Sequence, residues 1–365
     1  MQCKHFGVCG GCTLPGVPYA EQLARKRTEL SRLLRIDVPP LLPSPLQSGF
    51  RSKVAFVFDS GGRTLVMGHY ALGSQRVVPI DECPVHHERG NRIAFALRDR
   101  LVRAKLPAGV PRHIVVRTTQ DGREASAMLV VRRNDKSLRT SVKGLLASPD
   151  RPDGFFVNIH DRPGPFMIGE ETTKIAGRSH VKETVREVSY LVSPTAFFQT
   201  NVGAAGLLVD VVVEAAVGRQ ILDLYCGSGL FALPLARTGA RVTAVEENRQ
   251  AIADGNANLR LNRMDSDHVR FISARVEEAI ARLAAERWDT VVLDPPRQGC
   301  PPSVITAVFE RMKPARAVYV SCDPDALARE LPVILKAGYR TARVQAIDMF
   351  PHTNHIETVV VLDRG

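Results

Sequence analysis

A thiol, two carboxylates and a glycine-rich turn are the residues here whose types and spacing suit chemistry. Cys322 stands in Ser321-Cys322-Asp323-Pro324, directly after the apolar run Ala317 to Ser321, so a strand ends where the thiol is placed. A lone cysteine is most often a small buried hydrophobe, and what argues otherwise is its company. Asp294-Pro295-Pro296-Arg297 closes another apolar run, and paired prolines fix the backbone so that the preceding carboxylate projects past the strand. Phe350-Pro351-His352-Thr353-Asn354-His355-Ile356-Glu357 is a polar cluster before the last apolar run, ending in a carboxylate suited to general-base work. A thiolate with a carboxylate base beside it is the equipment of covalent catalysis.

The turn Asp223-Leu224-Tyr225-Cys226-Gly227-Ser228-Gly229-Leu230 lets the chain pass tightly from strand to helix and lets a ligand approach the main chain. Glu246 ends the next apolar run, where a carboxylate can accept hydrogen bonds from two ribose hydroxyls. Gly227, Gly229 and Ala232 also satisfy the dinucleotide fingerprint, so a nicotinamide enzyme competes until the later motifs weigh against it. Near the amino terminus Cys3, Cys9 and Cys12 are followed by Cys83. Four thiolates can hold an iron–sulfur cluster, while Cys9-x2-Cys12 with Cys83-x2-His86 equally matches a zinc knuckle.

These residues need elements to hold them. Apolar runs at Gln220 to Tyr225, Arg241 to Val245, Val269 to Ile272, Thr290 to Leu293, Ala317 to Ser321, Arg340 to Ile347 and Thr358 to Leu362 read as buried strands. Amphipathic segments at Arg249 to Leu261, Val276 to Arg287, Ser303 to Met312 and Asp325 to Lys336 read as the helices between them. That alternation predicts an α/β, Rossmann-like domain with a parallel sheet, in which ligands bind beyond the carboxyl ends of the strands. Every chemistry-bearing residue of this half falls at such an end. Before it, short runs at Lys53 to Phe58, Arg76 to Pro79, His113 to Thr118, Ala125 to Arg132 and Gly154 to Ile159 predict a mainly antiparallel β domain. Glu21 to Leu34 predicts a surface amphipathic helix. The expected division is a cysteine-bearing segment and helix over 1–45, a β-rich domain over 46–190 and a catalytic domain over 191–365.

Charge follows the same division. Residues 1–190 hold 30 Lys and Arg against 18 Asp and Glu, whereas residues 191–365 hold 19 against 20. A basic half joined to a neutral one suits an enzyme of a polyanion, since phosphate contacts supply sequence-independent affinity. Arginines in or beside the β runs, among them Arg51, Arg76, Arg117, Arg132 and Arg133, are the candidates to make them. No apolar run is long enough to span a bilayer, because the best candidate, Leu207 to Val217, contains Asp210 and Glu214. The start lacks the apolar core of a signal peptide, so a cytoplasmic protein with reduced cysteines is expected.

Taken together, Phe197-Phe198-Gln199-Thr200-Asn201, Asp223 to Gly229, Asp294 to Arg297, Ser321 to Pro324 and His352 to Glu357 resemble the RNA uracil-C5 methyltransferase family, in order and spacing. The resemblance implies a Rossmann-like S-adenosylmethionine methyltransferase domain behind an antiparallel β-rich domain and an N-terminal iron–sulfur segment. It makes Cys322 the nucleophile that adds to uracil C6 and Glu357 the base that removes the C5 proton. Gln199, Tyr225, Glu246 and Asp294 would bind S-adenosylmethionine or shape the pocket between donor and base. Cys3, Cys9, Cys12 and Cys83 would hold a [4Fe-4S] cluster that pins the amino terminus to the β domain. Because C5 and C6 are unreachable in a stacked helix, the uridine must be flipped out or lie in a loop, where Phe197 or Phe198 could stack on it. Cys226 and Cys300 are read as non-catalytic. Relatives can carry Asn at the position of Leu230 and a polar contact near Ala274 or Arg275, which leaves the adenine side open.

With the chain starting almost at Cys3, the compact bacterial subgroup acting on 23S ribosomal RNA is the expected match, and a transfer RNA T-loop uridine the runner-up. A monomer is the expected state. Two other classes stay in view: an amino-group methyltransferase using Asp294 to Arg297 without the thiol, and a non-enzymatic iron–sulfur RNA-binding protein.

Overall fold

The computed structural model describes residues 2–14, 16–59, 64–162 and 167–365. The chain runs through α1 (Tyr19–Leu34), β1 (Lys53–Asp59), β2 (Val66–Tyr70), β3 (Val77–Pro79), α2 (Glu88–Arg103), β4 (Pro111–Thr118), β5 (Ala125–Val131), α3 (Lys136–Leu146), β6 (Gly154–Ile159), β7 (Glu171–Gly177), β8 (Val181–Val185) and β9 (Val188–Val192). It continues through α4 (Val202–Ala215), β10 (Gln220–Leu224), α5 (Ala232–Arg237), β11 (Arg241–Glu246), α6 (Arg249–Leu261), β12 (Val269–Ser273), α7 (Val276–Leu283), β13 (Thr290–Leu293), α8 (Pro302–Thr306) with a π-helical turn over Ala307–Met312, β14 (Arg316–Ser321), α9 (Pro324–Lys336), β15 (Tyr339–Ile347) and β16 (Glu357–Arg364).

The first sheet has the order β3-β2-β1-β4-β5-β6-β7. Val54 and Phe56 of β1, alternating with more exposed neighbours, share a core with Ile93, Leu97 and Leu101 of α2 and with Leu138, Val142 and Leu145 of α3. Its pairs are antiparallel except β5 with β6, which α3 joins as a parallel crossover. The reading of a β domain therefore needs two helices added. The apolar spacing Ile93, Leu97, Leu101 is helical, but the arginines between those positions masked it.

The second sheet, β12-β11-β10-β13-β14-β16-β15, is covered on both faces. Strands β10 to β14 are parallel, whereas β16 is inserted between β14 and β15 and runs antiparallel to both. This corrects the expectation of a parallel sheet, and the reversal decides where Glu357 lies. Helix α1 packs on the second sheet through Leu30 and Leu34 rather than on the first. The β8/β9 hairpin contributes Val181, Val185, Tyr190 and Val192 to the opposite face of the same sheet. Residue 190 thus lies inside a hairpin packed on the second half.

Candidate active site

Register puts the reactive groups at one edge of the second sheet. Leu224 pairs with Leu293, Leu293 with Tyr319, and Ser321 with Thr358 of the antiparallel strand. One step past each pair stand Tyr225, Asp294, Cys322 and Glu357. A parallel β16 would deliver its carboxyl end here; because the strand is reversed, its first residue, Glu357, meets the last turn of β14.

Local chemistry fixes Cys322 at the tip. Asp323 caps α9 by accepting the Ala326 amide at 2.9 Å, and Pro324 occupies the first helical turn, so the chain leaves the strand abruptly. The Ser321 hydroxyl donates to the Asp323 carbonyl at 2.9 Å, closing the turn beneath the thiol. Cys322 is half-buried. Burial, then the charges of Glu357 and Asp294, push its thiol up to about 11, with Arg297 opposing them. Glu357 is 3% exposed and held well above the usual carboxylate range by burial and by Asp294. Asp294, raised by burial and by Glu246 to about 7, completes a crowded set of acids facing the exposed Arg297.

The glycine turn lies beside them. Gly227 has φ +55°, and a Cβ there would meet no heavy atom within 4 Å, so space is open above the main chain. Glu246 is fixed at both oxygens, by the Gly227 amide at 3.1 Å and the Asn248 amide at 2.8 Å. Tyr225 adopts φ +65°, a left-handed conformation costly for a side chain of its size, and its hydroxyl is buried without a hydrogen bond. Asp223 is fully buried, and burial, then the nearby charges of Asp294 and Glu246, holds its carboxyl well above the usual carboxylate range. Gln199 is buried in a segment pinned from both sides: the Asn201 side-chain amide donates to the Met349 carbonyl and to Ser44 Oγ, each at 2.9 Å, and the Ser52 backbone amide donates to the Thr200 carbonyl at 2.7 Å. Its neighbours divide sharply. Phe198 is core, against Tyr190, and Phe197 is 67% exposed. Cys226 and Cys300 are buried, as their non-catalytic reading requires; Leu230 is also buried and Arg275 exposed.

Cys3, Cys9, Cys12 and Cys83 line one cavity of about 510 Å³ together with His5, Arg51, His69 and His86. Burial pushes Cys12 up to about 11 and Cys83 up to about 12. Cys9 lies 3.4 Å from His69 Nδ1, and among the described residues no three such side chains close to metal-binding geometry. Arg51 has a buried Nε without a partner and stands where thiolates would neutralise it. His86, a zinc-knuckle candidate, has its Nδ1 3.2 Å from Asn91 Oδ1 and packs edge-on against Phe56. Sequence reasoning missed one contact set. Lys26 and Asp348 form a buried ion pair at 2.7 Å joining α1 to the end of β15, and a buried polar pair 322 residues apart leaves no pattern in the sequence.

A mixed sheet covered on both faces, with a glycine turn and a thiol near two carboxylates at its strand ends, is the fold of an α/β methyltransferase. The family model described as tRNA (Uracil-5-)-methyltransferase matches residues 19–365. An RNA methyltransferase of Geobacter sulfurreducens is 34% identical across 99% of this chain and 76% of its own length. One from Chlorobaculum tepidum is 32% identical across all of this chain and 83% of its own. Among solved structures, the Pyrococcus abyssi tRNA (uracil-54, C5)-methyltransferase in complex with S-adenosyl-L-homocysteine superposes with a TM-score of 0.81 at 30% identity, over 96% of this chain and 85% of that one. The chain belongs to the RNA uracil-C5 methyltransferase family. Among the described residues no helix is long and apolar enough to cross a membrane.

Proposed function

We propose that this protein methylates carbon 5 of a uridine in RNA, with Cys322 as nucleophile and Glu357 as base. The observation that carries the reading is the register that brings these two residues together beyond Ser321 and Thr358, next to Asp294. Uracil C5 is a weak nucleophile, and addition of the Cys322 thiolate to C6 moves electron density onto C5 and O4. A thiol pushed up to about 11 is protonated at rest, so its proton must pass to solvent as the uracil enters, with Arg297 offsetting the charge of the thiolate that is left. Asp294 would hold the ring edge. After methylation, Glu357 takes the C5 proton, the C5=C6 bond re-forms, and the electron pair of the C6–S bond returns to Cys322. A carboxylate whose burial raises its proton affinity is well matched to that step.

S-adenosylmethionine supplies an electrophilic methyl group. Gln199, Tyr225, Glu246 and Asp294 would hold it: the space over Gly227 admits a ligand, and the surplus of carboxylates favours a cationic one. The related enzyme's complex with S-adenosyl-L-homocysteine supports the choice of cofactor. Phe197, exposed near Gln199, would stack on a flipped base.

Cys3, Cys9, Cys12 and Cys83 would hold a [4Fe-4S] cluster, since the four sulfurs and a buried cation share one cavity. Stoichiometric iron and sulfide in anaerobically purified protein is the expected result, and zinc in their place would reject it. A uridine of 23S ribosomal RNA is one candidate substrate. The Pyrococcus abyssi relative, named for uracil-54 of tRNA, favours a transfer RNA. Mapping modified uridines in both RNAs from a deletion strain separates the two.

Cys322→Ala is expected to abolish methyl transfer, and RNA with 5-fluorouridine at the target to trap the native enzyme covalently. Full activity in the alanine variant would reject the mechanism and favour an amino-group methyltransferase. Absence of S-adenosylhomocysteine binding by calorimetry would favour a binding protein without catalysis.

A further inference from the structure

Five residues before Glu357 the chain is held from several sides at His352. His352 is 6% exposed and adopts φ +67°, a conformation that costs a non-glycine residue about 1–3 kcal/mol. Three separate segments hold it there. Its carbonyl accepts the amides of Thr13 at 2.9 Å and Leu14 at 3.0 Å, the two residues that follow Cys12. Its own amide donates to Gln22 Oε1 on α1 at 2.8 Å. Its ring lies between the Gln47 carbonyl, 2.8 Å from Nε2, and Gln22 Nε2, 3.2 Å from Nδ1. A carbonyl only accepts and an amide nitrogen only donates, so the neutral ring with its proton on Nε2 satisfies both. Gln22 is fixed in turn by donating to the Val17 carbonyl at 2.8 Å. The neighbouring Asn354 amide donates to the Thr13 hydroxyl at 3.1 Å. Lys26 donates to Asp348 at 2.7 Å and to the Phe350 carbonyl at 3.1 Å, tying the start of the same loop to α1.

The bonds run in one direction through the fold. On one side is the cysteine-bearing segment, ending in Cys12-Thr13-Leu14. On the other is the loop 348–356, whose next residue is Glu357. We propose that His352 is a positioning residue through which the cysteine segment sets the placement of Glu357, so that ordering of residues 3–12 is transmitted to the proton-abstraction step. The inference rests on the assignment of Glu357 as the base. Catalytic groups lose one to two decades of rate when misplaced by about an ångström, and a loop held at its midpoint from outside its own domain is a direct route to such a shift.

The step at which Glu357 acts makes the test specific. In 5-fluorouridine RNA the C5 substituent is not a removable proton, so covalent trapping reports thiol addition and methylation but not the base. His352→Gly deletes the ring bonds while glycine accepts the positive φ without strain, and the variant should fold. The expected result is trapping at the native rate, with turnover on uridine RNA reduced roughly ten- to a hundredfold and KM for RNA unchanged. Equal losses in trapping and turnover, or no loss in either, would overturn the proposal. Glu357→Gln is the reference: if it retains turnover, the base assignment has failed, whatever His352 does. Amide exchange gives a readout independent of catalysis. His352→Gly keeps the main-chain bonds to Thr13, Leu14 and Gln22 but frees the loop that the ring anchors, so exchange should rise across 348–357 and at Thr13 and Leu14 while β14 stays protected; unchanged exchange in these segments overturns the link.

Discussion

At the scale of single residues, the site is governed by acids brought closer than water would allow. Asp294, Glu357, Glu246 and Asp223 crowd one strand edge, and burial is the largest cause of the raised proton affinities of Asp223, Asp294 and Glu357. For Asp294 the consequence for stability has a definite sign. Its proton is bound more tightly in the folded chain, about 7 against an ordinary 3.8, so its contribution is full below pH 3.8 and is lost as pH rises through about 7. Asp294→Asn cannot ionise and loses nothing over that range. The Tm of the variant minus that of the native protein should therefore rise from pH 4 to pH 8. A difference that stays flat would mean that Asp294 is solvated as an ordinary surface acid. These residues were legible in the sequence because each sits in a local motif with its own stereochemistry: prolines after Asp294, a capping Asp after Cys322, glycines after Tyr225. Their electrostatic coupling was not legible, because it depends on which strand lies next to which.

At the scale of elements, periodicity identified the strands of the second half and α6 over Arg249 to Leu261, but it carries no direction. The reversal of β16 followed from connection lengths and packing that a single apolar run does not encode. Helix α4 was missed for the opposite reason: Val202–Ala215 is apolar nearly all round and offers no amphipathic stripe. Helix α1 was read as a surface helix, yet it buries Gln22 and Lys26, with Lys26 only 3% exposed. Burial outweighs Asp348 and lowers the Lys26 pKa, so the pair owes its place to geometry more than to free charge. Lys26→Ala leaves the Asp348 carboxylate buried without its cation, and a loss of about 3–5 kcal/mol in unfolding free energy is expected. Lys26→Met combined with Asp348→Leu removes both charges and should recover most of that loss. Denaturant unfolding of the two variants decides it, and a double variant no more stable than the single one would refute the argument from desolvation.

The whole molecule divides its labour by charge. Affinity for RNA is expected from the first half, which carries a surplus of 12 positive charges, while the second half carries one net negative charge and the proposed catalytic residues. Placement narrows which arginines can contribute. Arg117 is 4% exposed, with two guanidinium nitrogens buried and unpartnered among groups that include Glu183 and Asp254, so it lies within the packing between the halves and not on a phosphate-binding face. Arg76 and Arg133 are exposed, as is Arg287 in the second half. Phosphate contacts release counterions, and each one lost reduces the slope of log K against log salt by about 0.7 to 0.9. Arg76→Gln with Arg133→Gln should therefore flatten the salt dependence of RNA binding by between one and two contacts' worth, whereas Arg287→Gln should leave it unaltered. An equal effect from Arg287 would show that the polyanion follows the net charge of the surface at large. A response confined to the first pair would tie RNA affinity to the basic sheet that precedes the catalytic half.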